Sequence, residues 1–295
     1  MIRSICALVL SAFVASAFAQ TVAPAMPAEL QPISAAFSAG DFERAADLAE
    51  ALVEAQPEHA RGWQWLARAN AQQALRAGLF GKASLAGKCR EAYERSVAID
   101  PAHAETQFEL HQFYVQAPGI IGGGEDKSRA QAAVLAKLDA SYGHLAAGMV
   151  ADRFDEDPAA AEREYRAAVA AGGVNPGRAR NALANWLIAK ERWDDARAVW
   201  TAVLAQNPDD GVALFMTGRL AALSGQALDA GLAALDRYLA LETKPQDIGI
   251  APAHWRRGLV LEKLGRVEEA VAAITAAVAA DPKFELAQKD LARLK

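Results

Sequence analysis

Apolar and small residues recur at helical spacing through residues 258–282, GLVLEKLGRVEEAVAAITAAVAADP, and this stretch sets the reading of the whole chain. Leu259, Val260, Leu261 and Leu264 mark one amphipathic helix, and Gly265 ends it. Val267, Ala270, Val271, Ile274, Ala277 and Val278 mark a second that stops at Pro282. The pattern predicts a helical hairpin. Gly258 and Ala270 lack the bulk that holds antiparallel helices apart, and Leu261, Val267 and Ile274 fill in around them. One hairpin leaves apolar faces uncovered, so the pattern calls for stacked copies.

The copies are present. Gly40-Asp41-Phe42-Glu43-Arg44-Ala45 repeats Gly265-Arg266-Val267-Glu268-Glu269-Ala270, and Pro57 follows Ala45 at the interval at which Pro282 follows Ala270. A second unit has Trp63, Leu66 and Ala67 on its first helix and Cys89, Tyr93 and Ser96 on its second, closed by Pro101. Its small landmark falls at 89 rather than 79, so residues 75–88 (LRAGLFGKASLAGK) read as a lengthened, irregular turn. A third unit has Phe108, Leu110 and Tyr114, a turn at residues 118–124 (PGIIGGG) and a helix over 125–138. A fourth pairs 142–153 with 158–171, with Ala161 and Tyr165 at the landmarks. A fifth pairs 179–189 with a helix carrying Trp193, Ala196, Trp200 and Val203, and a sixth carries Gly218, Gly225 and Ala230. The glycine- and proline-bearing stretch 242–252 precedes the opening hairpin as a loop, and 284–294 follows it as a charged capping helix.

This pattern resembles the tetratricopeptide repeat family, a helix pair with a bulky-x-x-Leu-Gly/Ala start, Gly-x-Tyr/Phe-x-x-Ala in the middle and Pro at the end. The resemblance covers residues 30–295 and implies an all-α, right-handed superhelical solenoid of about seven antiparallel hairpins plus the cap. It is weaker in units two to four, where Cys89 and Ser128 replace the landmark alanine. It also implies that the first helix of each pair lines a concave groove. At the fifth positions stand Gln64, Phe108, Asn181, Phe215 and Trp255, and at the ninth Arg68, Gln112, Asn185, Arg219 and Leu259. Amides suit a peptide backbone, arginines its carboxylates and aromatic rings its apolar side chains, so the expected ligand is an extended segment of a protein partner. The competing expectation is that Phe108, Phe215 and Trp255 pack between helices. Some family members hold a C-terminal carboxylate in a Lys/Asn/Arg clamp. Asn185 matches one clamp position, but Asn181 and Met216 stand where a lysine and a second asparagine are expected, so that ligand is not carried over.

Composition narrows the setting. Over 295 residues the formal charge is -5, and no Lys/Arg-dense face is apparent, which argues against nucleic acid. Residues 1–19 read as a secretory signal: Arg3, an apolar run over 5–14, and Ala17-Phe18-Ala19 before cleavage ahead of Gln20. The run is shorter than the roughly 20 residues of a membrane span. The expectation is a periplasmic or secreted protein with no span after signal cleavage and a role in cell-envelope assembly. Residues 20–29 read as a flexible lead, and Cys89 is left as the single cysteine beyond the signal, expected buried.

Candidate chemistry is sparse. Gly119 to Ser128 imitates a phosphate loop, but Glu125 and Asp126 separate the last glycine from Lys127, and two carboxylates repel a phosphate. Loop 118–127 therefore carries the alternative reading, an enzyme or small-ligand protein, against the glycine-rich turn that the residues otherwise describe. The five histidines are scattered, the acidic run at 152–157 reads as a helix start, and no nucleophile elbow occurs. The sequence predicts no cofactor, no metal and a non-enzymatic scaffold.

Overall fold

The computed structural model describes residues 26–245 and 248–294; the signal segment and residues 20–25 lie outside them. The lead does not run to residue 29, because Ala28–Leu30 already forms a 3-10 turn that buries Leu30. Fifteen α-helices follow among the described residues, all joined by short connections. In pairs they are α1 (Gln31–Ser38) with α2 (Phe42–Ala55), α3 (Ala60–Arg76) with α4 (Leu79–Ile99), and α5 (Ala104–Gln116) with α6 (Glu125–Leu138). Next come α7 (Ala140–Arg153) with α8 (Pro158–Ala171), α9 (Pro176–Ala189) with α10 (Trp193–Gln206), α11 (Gly211–Ser224) with α12 (Leu228–Ala240), and α13 (Ile250–Lys263) with α14 (Val267–Ala280). Helix α15 (Glu285–Leu294) packs on α14. The fold is an all-α solenoid. Each helix packs on its neighbours in the chain, and first helices also touch across units, α1 on α3, α5 on α7, α7 on α9 and α11 on α13.

Small residues set the spacing within each pair. A β-carbon added to Gly258 would lie 2.3 Å from Cγ1 of Ile274 and 3.1 Å from the carbonyl oxygen of Ala270, so α13 and α14 meet at their backbones. Ala45, Cys89, Ser128, Ala161, Ala196 and Ala270 are all buried at the landmark. In the sixth unit the landmark is Gly231, one residue beyond the expected Ala230, which is exposed; a β-carbon on Gly231 would meet that of Ala221 at 2.1 Å. Val267 does not fill the opening hairpin: it is exposed, and Leu261 and Ile274 do the filling.

Turns explain these registers. Gly40, Glu156, Glu191 and Gly265 all have positive φ, and each stands five residues before a buried landmark alanine. The left-handed residue ends the first helix and turns the chain back. The sixth unit has two such residues, Gly225 and Ala227, and the added residue moves its landmark by one. Side chains cap many of the helix starts: Asp41, Asp139, Asp157, Asn175 and Asp210 each accept from a backbone N–H three residues on. Asp157 thus has the capping role read from the acidic run.

The second unit departs from the expected irregular turn. Its extra residues are helical: α3 has 17 residues and α4 has 21, against 14 in α13 and α14, and only Ala77 and Gly78 connect them. Leu, Ala and Lys are strong helix formers, and the extra residues extend two helices that form in any case rather than nucleating a new one. Cys89 is buried as expected, and burial pushes its thiol pKa up to about 12, an unreactive state at neutral pH.

The left-handed turns generate a test. Only glycine occupies that conformation without steric cost, so Gly265→Ala is expected to destabilise the chain by about 1 kcal/mol, and Glu191→Gly to stabilise it by a similar amount. Urea unfolding of the two variants checks the opposite signs.

Candidate functional site

The first helices carry the sequence-predicted groove residues, and the structure divides them into two groups. In units two and three the face is closed by its own charges. Arg68 donates through Nη2 to Glu109 Oε1 at 2.6 Å and through Nε to both Glu109 oxygens at 3.1 Å, and it reaches Glu105 at 3.2 Å. Arg178 of α9 donates to the same Glu105 oxygen at 3.0 Å, bridging past the fourth unit. Gln64, 0% exposed, donates to Glu109 at 3.0 Å. Burial alone would lower the Arg68 pKa, but the charges and hydrogen bonds of Glu109 and Glu105 hold it above its ordinary value.

Three expected groove residues are therefore interior. Gln64 is consumed by Glu109. Phe108, 2% exposed, packs on the Tyr142 ring at 5.0 Å beneath Arg178. Trp255, 9% exposed, donates to Asp290 of the capping helix at 2.8 Å and meets the edge of Phe284. Large rings at the fifth position fill the space between units, which is the competing expectation for Phe108 and Trp255. Phe215 is half-buried, 5.8 Å from the Tyr238 ring. Arg68 and Gln112 are half-buried, Arg68 within the ion network.

Toward the C-terminal end the face stays open. Asn181 is half-buried and Asn185 exposed, and Asn185 Oδ1 accepts from Arg219 Nη1 at 2.9 Å. Arg256, one residue after Trp255, lies over its ring at 4.2 Å. Among the described residues neither Arg219 nor Arg256 has a carboxylate partner, while Arg68, Arg178, Arg192, Arg257 and Arg293 each have at least one. Sequence reasoning missed Glu109, Glu105, Arg178 and Arg256. Glu109 and Arg256 both stand at the sixth position, one step from the fifth position and three from the ninth that it selected.

The glycine-rich loop does not form an anion cradle. Lys127 donates back to the Gly122 carbonyl at 3.0 Å, lies 5.1 Å from the Tyr114 ring and sits 3.9 Å from Glu94. Arg90 donates to the Ile121 carbonyl at 3.3 Å. Both cations staple the turn, and Gly122 supplies the positive φ that it requires. Among the described residues no cluster of three or more His, Cys, Asp or Glu has metal-holding geometry, and no helix is long and apolar enough to cross a membrane.

Buried His111 stands where the other first helices carry Ala67, Ala184, Gly218 or Gly258. It is fully buried, with Nδ1 3.1 Å from the Ser128 carbonyl, and burial pulls its pKa down to about 4.

A class follows from this arrangement: a solenoid of stacked antiparallel helix pairs whose first helices share one face. The family model described as tetratricopeptide repeat matches residues 33–104, 181–248 and 251–283, more than half of the chain, and the chain belongs to that family. Residues 105–180, between two of the matches, include His111 and Ser128. No curated protein matches. Among solved structures, yeast Tom70 aligns at 15% identity and a TM-score of 0.57, over 87% of this chain and 51% of Tom70. YrrB, described as a tetratricopeptide protein with an unusual peptide-binding site, aligns at 17% identity and a TM-score of 0.38, over 83% of this chain and 98% of its own. PilW, described as a type IV pilus biogenesis factor, aligns at 17% and 0.46, over 89% and 96%. At 15% identity the likeness to Tom70 is one of fold.

Two stability tests follow. Glu109→Ala leaves Arg68, in a largely buried site, with Glu105 as its remaining carboxylate and is expected to cost about 2 kcal/mol, whereas Arg68→Met with Glu109→Met removes both charges and costs less. A double-mutant cycle in urea measures the coupling. For His111, the folded pKa lies below the ordinary value of about 6.5, so the unfolded chain takes up the proton first as pH falls. Its contribution is neutral above about pH 7 and turns destabilising between pH 6.5 and 4, reaching about 3 kcal/mol. Unfolding curves across that range, with His111→Gln as the flatter comparison, check the sign.

Proposed function

We propose that the protein is an exported, non-enzymatic scaffold that holds an extended segment of a partner protein against the open face of units five to seven. The observation that carries this reading is the contrast along one face: Arg68, Gln64 and Glu109 are engaged with one another, while Asn181, Asn185, Phe215 and Arg219 remain at least partly accessible. Asparagine amides pair with an extended backbone, and the half-buried Phe215 offers an apolar contact beside them. Solenoids of this type present extended concave surfaces to their partners. Export rests on the signal pattern of Arg3, the apolar run over 5–14 and Ala17-Phe18-Ala19, with the periplasm or the exterior as destination and envelope assembly as the setting.

Asn185→Ala combined with Arg219→Ala is expected to abolish crosslinked recovery of the partner from the native envelope while leaving the melting temperature unchanged. Lys127→Ala is expected to leave recovery intact, because Lys127 serves the turn. Undiminished recovery with the double variant overturns the groove assignment, and a chain from the envelope that does not begin at Gln20 overturns the signal reading.

A further inference from the structure

Helix α3 has a second face, on the side opposite Gln64 and Arg68. Trp63, Leu66, Asn70 and Gln73 recur there at three- and four-residue spacing and floor an open cavity of about 540 Å3, walled by the second helices α2 and α4. One floor residue is out of character. Asn70 is only 5% exposed, lines the cavity, and has no hydrogen-bond partner among the described residues. It follows Ala67 by three residues, and the corresponding positions after His111, Ala184, Gly218 and Gly258 bury Tyr114, Leu187, Ala221 and Leu261. A buried amide at a core position costs stability unless something pairs with it. Gln73 donates to the Phe42 carbonyl at 3.0 Å and keeps its amide oxygen as a further acceptor. Trp63 donates to the Pro57 carbonyl at 2.8 Å, so what its ring offers the cavity is apolar surface.

The walls are charged. Glu43, Asp47 and Glu50 line the cavity as one stripe of α2, about 10 Å long, and none has an ion-pair or hydrogen-bond partner among the described residues. On α4 two charges are already engaged, Arg95 with Glu58 at 2.5 Å and Glu91 with Arg90 at 3.2 Å. Lys88 is the remaining cation of that wall, so among the described residues three unpaired carboxylates outweigh one unpaired ammonium. We propose that this cavity receives an arginine side chain from a basic segment of a partner protein. The stem lies on Trp63 and Leu66, the guanidinium donates to the oxygens of Asn70 and Gln73, and Asp47 or Glu50 supplies the countercharge. Arginine suits the site better than lysine, because acceptors stand on both floor and wall and its planar fork serves more than one at once. The stripe on α2 is longer than one guanidinium, which leaves Glu43 for a second basic residue of the segment. The site lies at the other end of the solenoid from units five to seven and uses none of their residues.

The test uses the full mature chain and a fluorescein-labelled, end-capped peptide of repeating Arg-Ala-Leu-Ala, compared with the same peptide carrying citrulline, which keeps the shape of arginine without its charge. Anisotropy titration is expected to show the Arg peptide binding at least about tenfold tighter, and more weakly as salt rises. Asp47→Asn combined with Glu50→Gln is expected to weaken it about tenfold. Asn70→Leu is expected to weaken it by about as much while raising the melting temperature, because leucine is the kind of residue that the other units bury there; an asparagine needed only for the fold would lower it. If Asn70→Leu fails to fold, the exposed Asp47 and Glu50 decide the question. Equal binding of the Arg and citrulline peptides, or binding unchanged in these variants, overturns the proposal, as does absence of binding by both peptides. A saturable thermal shift with free agmatine in place of peptide binding overturns it in favour of a small amine. A dimer by light scattering that Asp47→Asn with Glu50→Gln dissociates overturns it in favour of a second copy of this chain.

Discussion

Close approach between the two helices of each pair is the constraint on which the rest of the molecule depends. Where Gly258 meets Ile274 and the Ala270 carbonyl, no room remains for another carbon, and a buried small residue recurs at the same point in the other units. Backbones held this close commit the larger side chains, such as Leu235, Trp200 and Ile274, to the spaces around the contact. The hairpin then has apolar surface left over on the sides facing its neighbours, and stacking follows. One consequence is the shared surface of the first helices, which no single unit possesses. The third unit shows how far the constraint bends: His111 occupies the small position because its imidazole is tied to the Ser128 carbonyl, at the cost of burying a group that prefers to ionise in acid.

The repeat was legible because it is written in residues whose effects are local. A glycine at positive φ, five residues ahead of an alanine that must be small, marks the turn of a hairpin, and Gly40 and Gly265 display both ends of that relation. Glu156 and Glu191 adopt the same conformation without announcing it, and Ala227 adds a residue that shifts the landmark from Ala230 to Gly231. The residues 75–88 misled for a related reason: their glycines suggested a turn, but the surrounding Leu, Ala and Lys lengthen the two helices instead.

Contacts between units were much less legible. Periodicity gives the face on which a side chain stands within its helix, but not the rotation that brings the next helix against it. Gln64, Phe108 and Trp255 were placed on the groove by position, and the neighbouring units cover them through Glu109, Tyr142 and Asp290 respectively. The Arg68 to Glu109 pair joins residues 41 apart, a separation with no local signature in a chain whose second unit is lengthened. Asn185 and Arg219 are brought together over 34 residues, the spacing of one ordinary repeat, and so the pattern did select both members of that contact.

The same between-unit geometry explains why the two ends of the solenoid differ in character. An arginine at a ninth position facing a glutamate at the next sixth position is satisfied within the chain, loses its capacity to attract another anion, and contributes rigidity to units two and three. The corresponding positions in units six and seven hold Arg219 and Arg256, which lie against Asn185 and the Trp255 ring respectively. With Arg256 there, burial lowers the pKa of both guanidinium groups, and the charge of Arg219 lowers that of Arg256 further. Corresponding positions of successive first helices thus hold an internal salt bridge at one end of the solenoid and, among the described residues, two arginines without a carboxylate at the other.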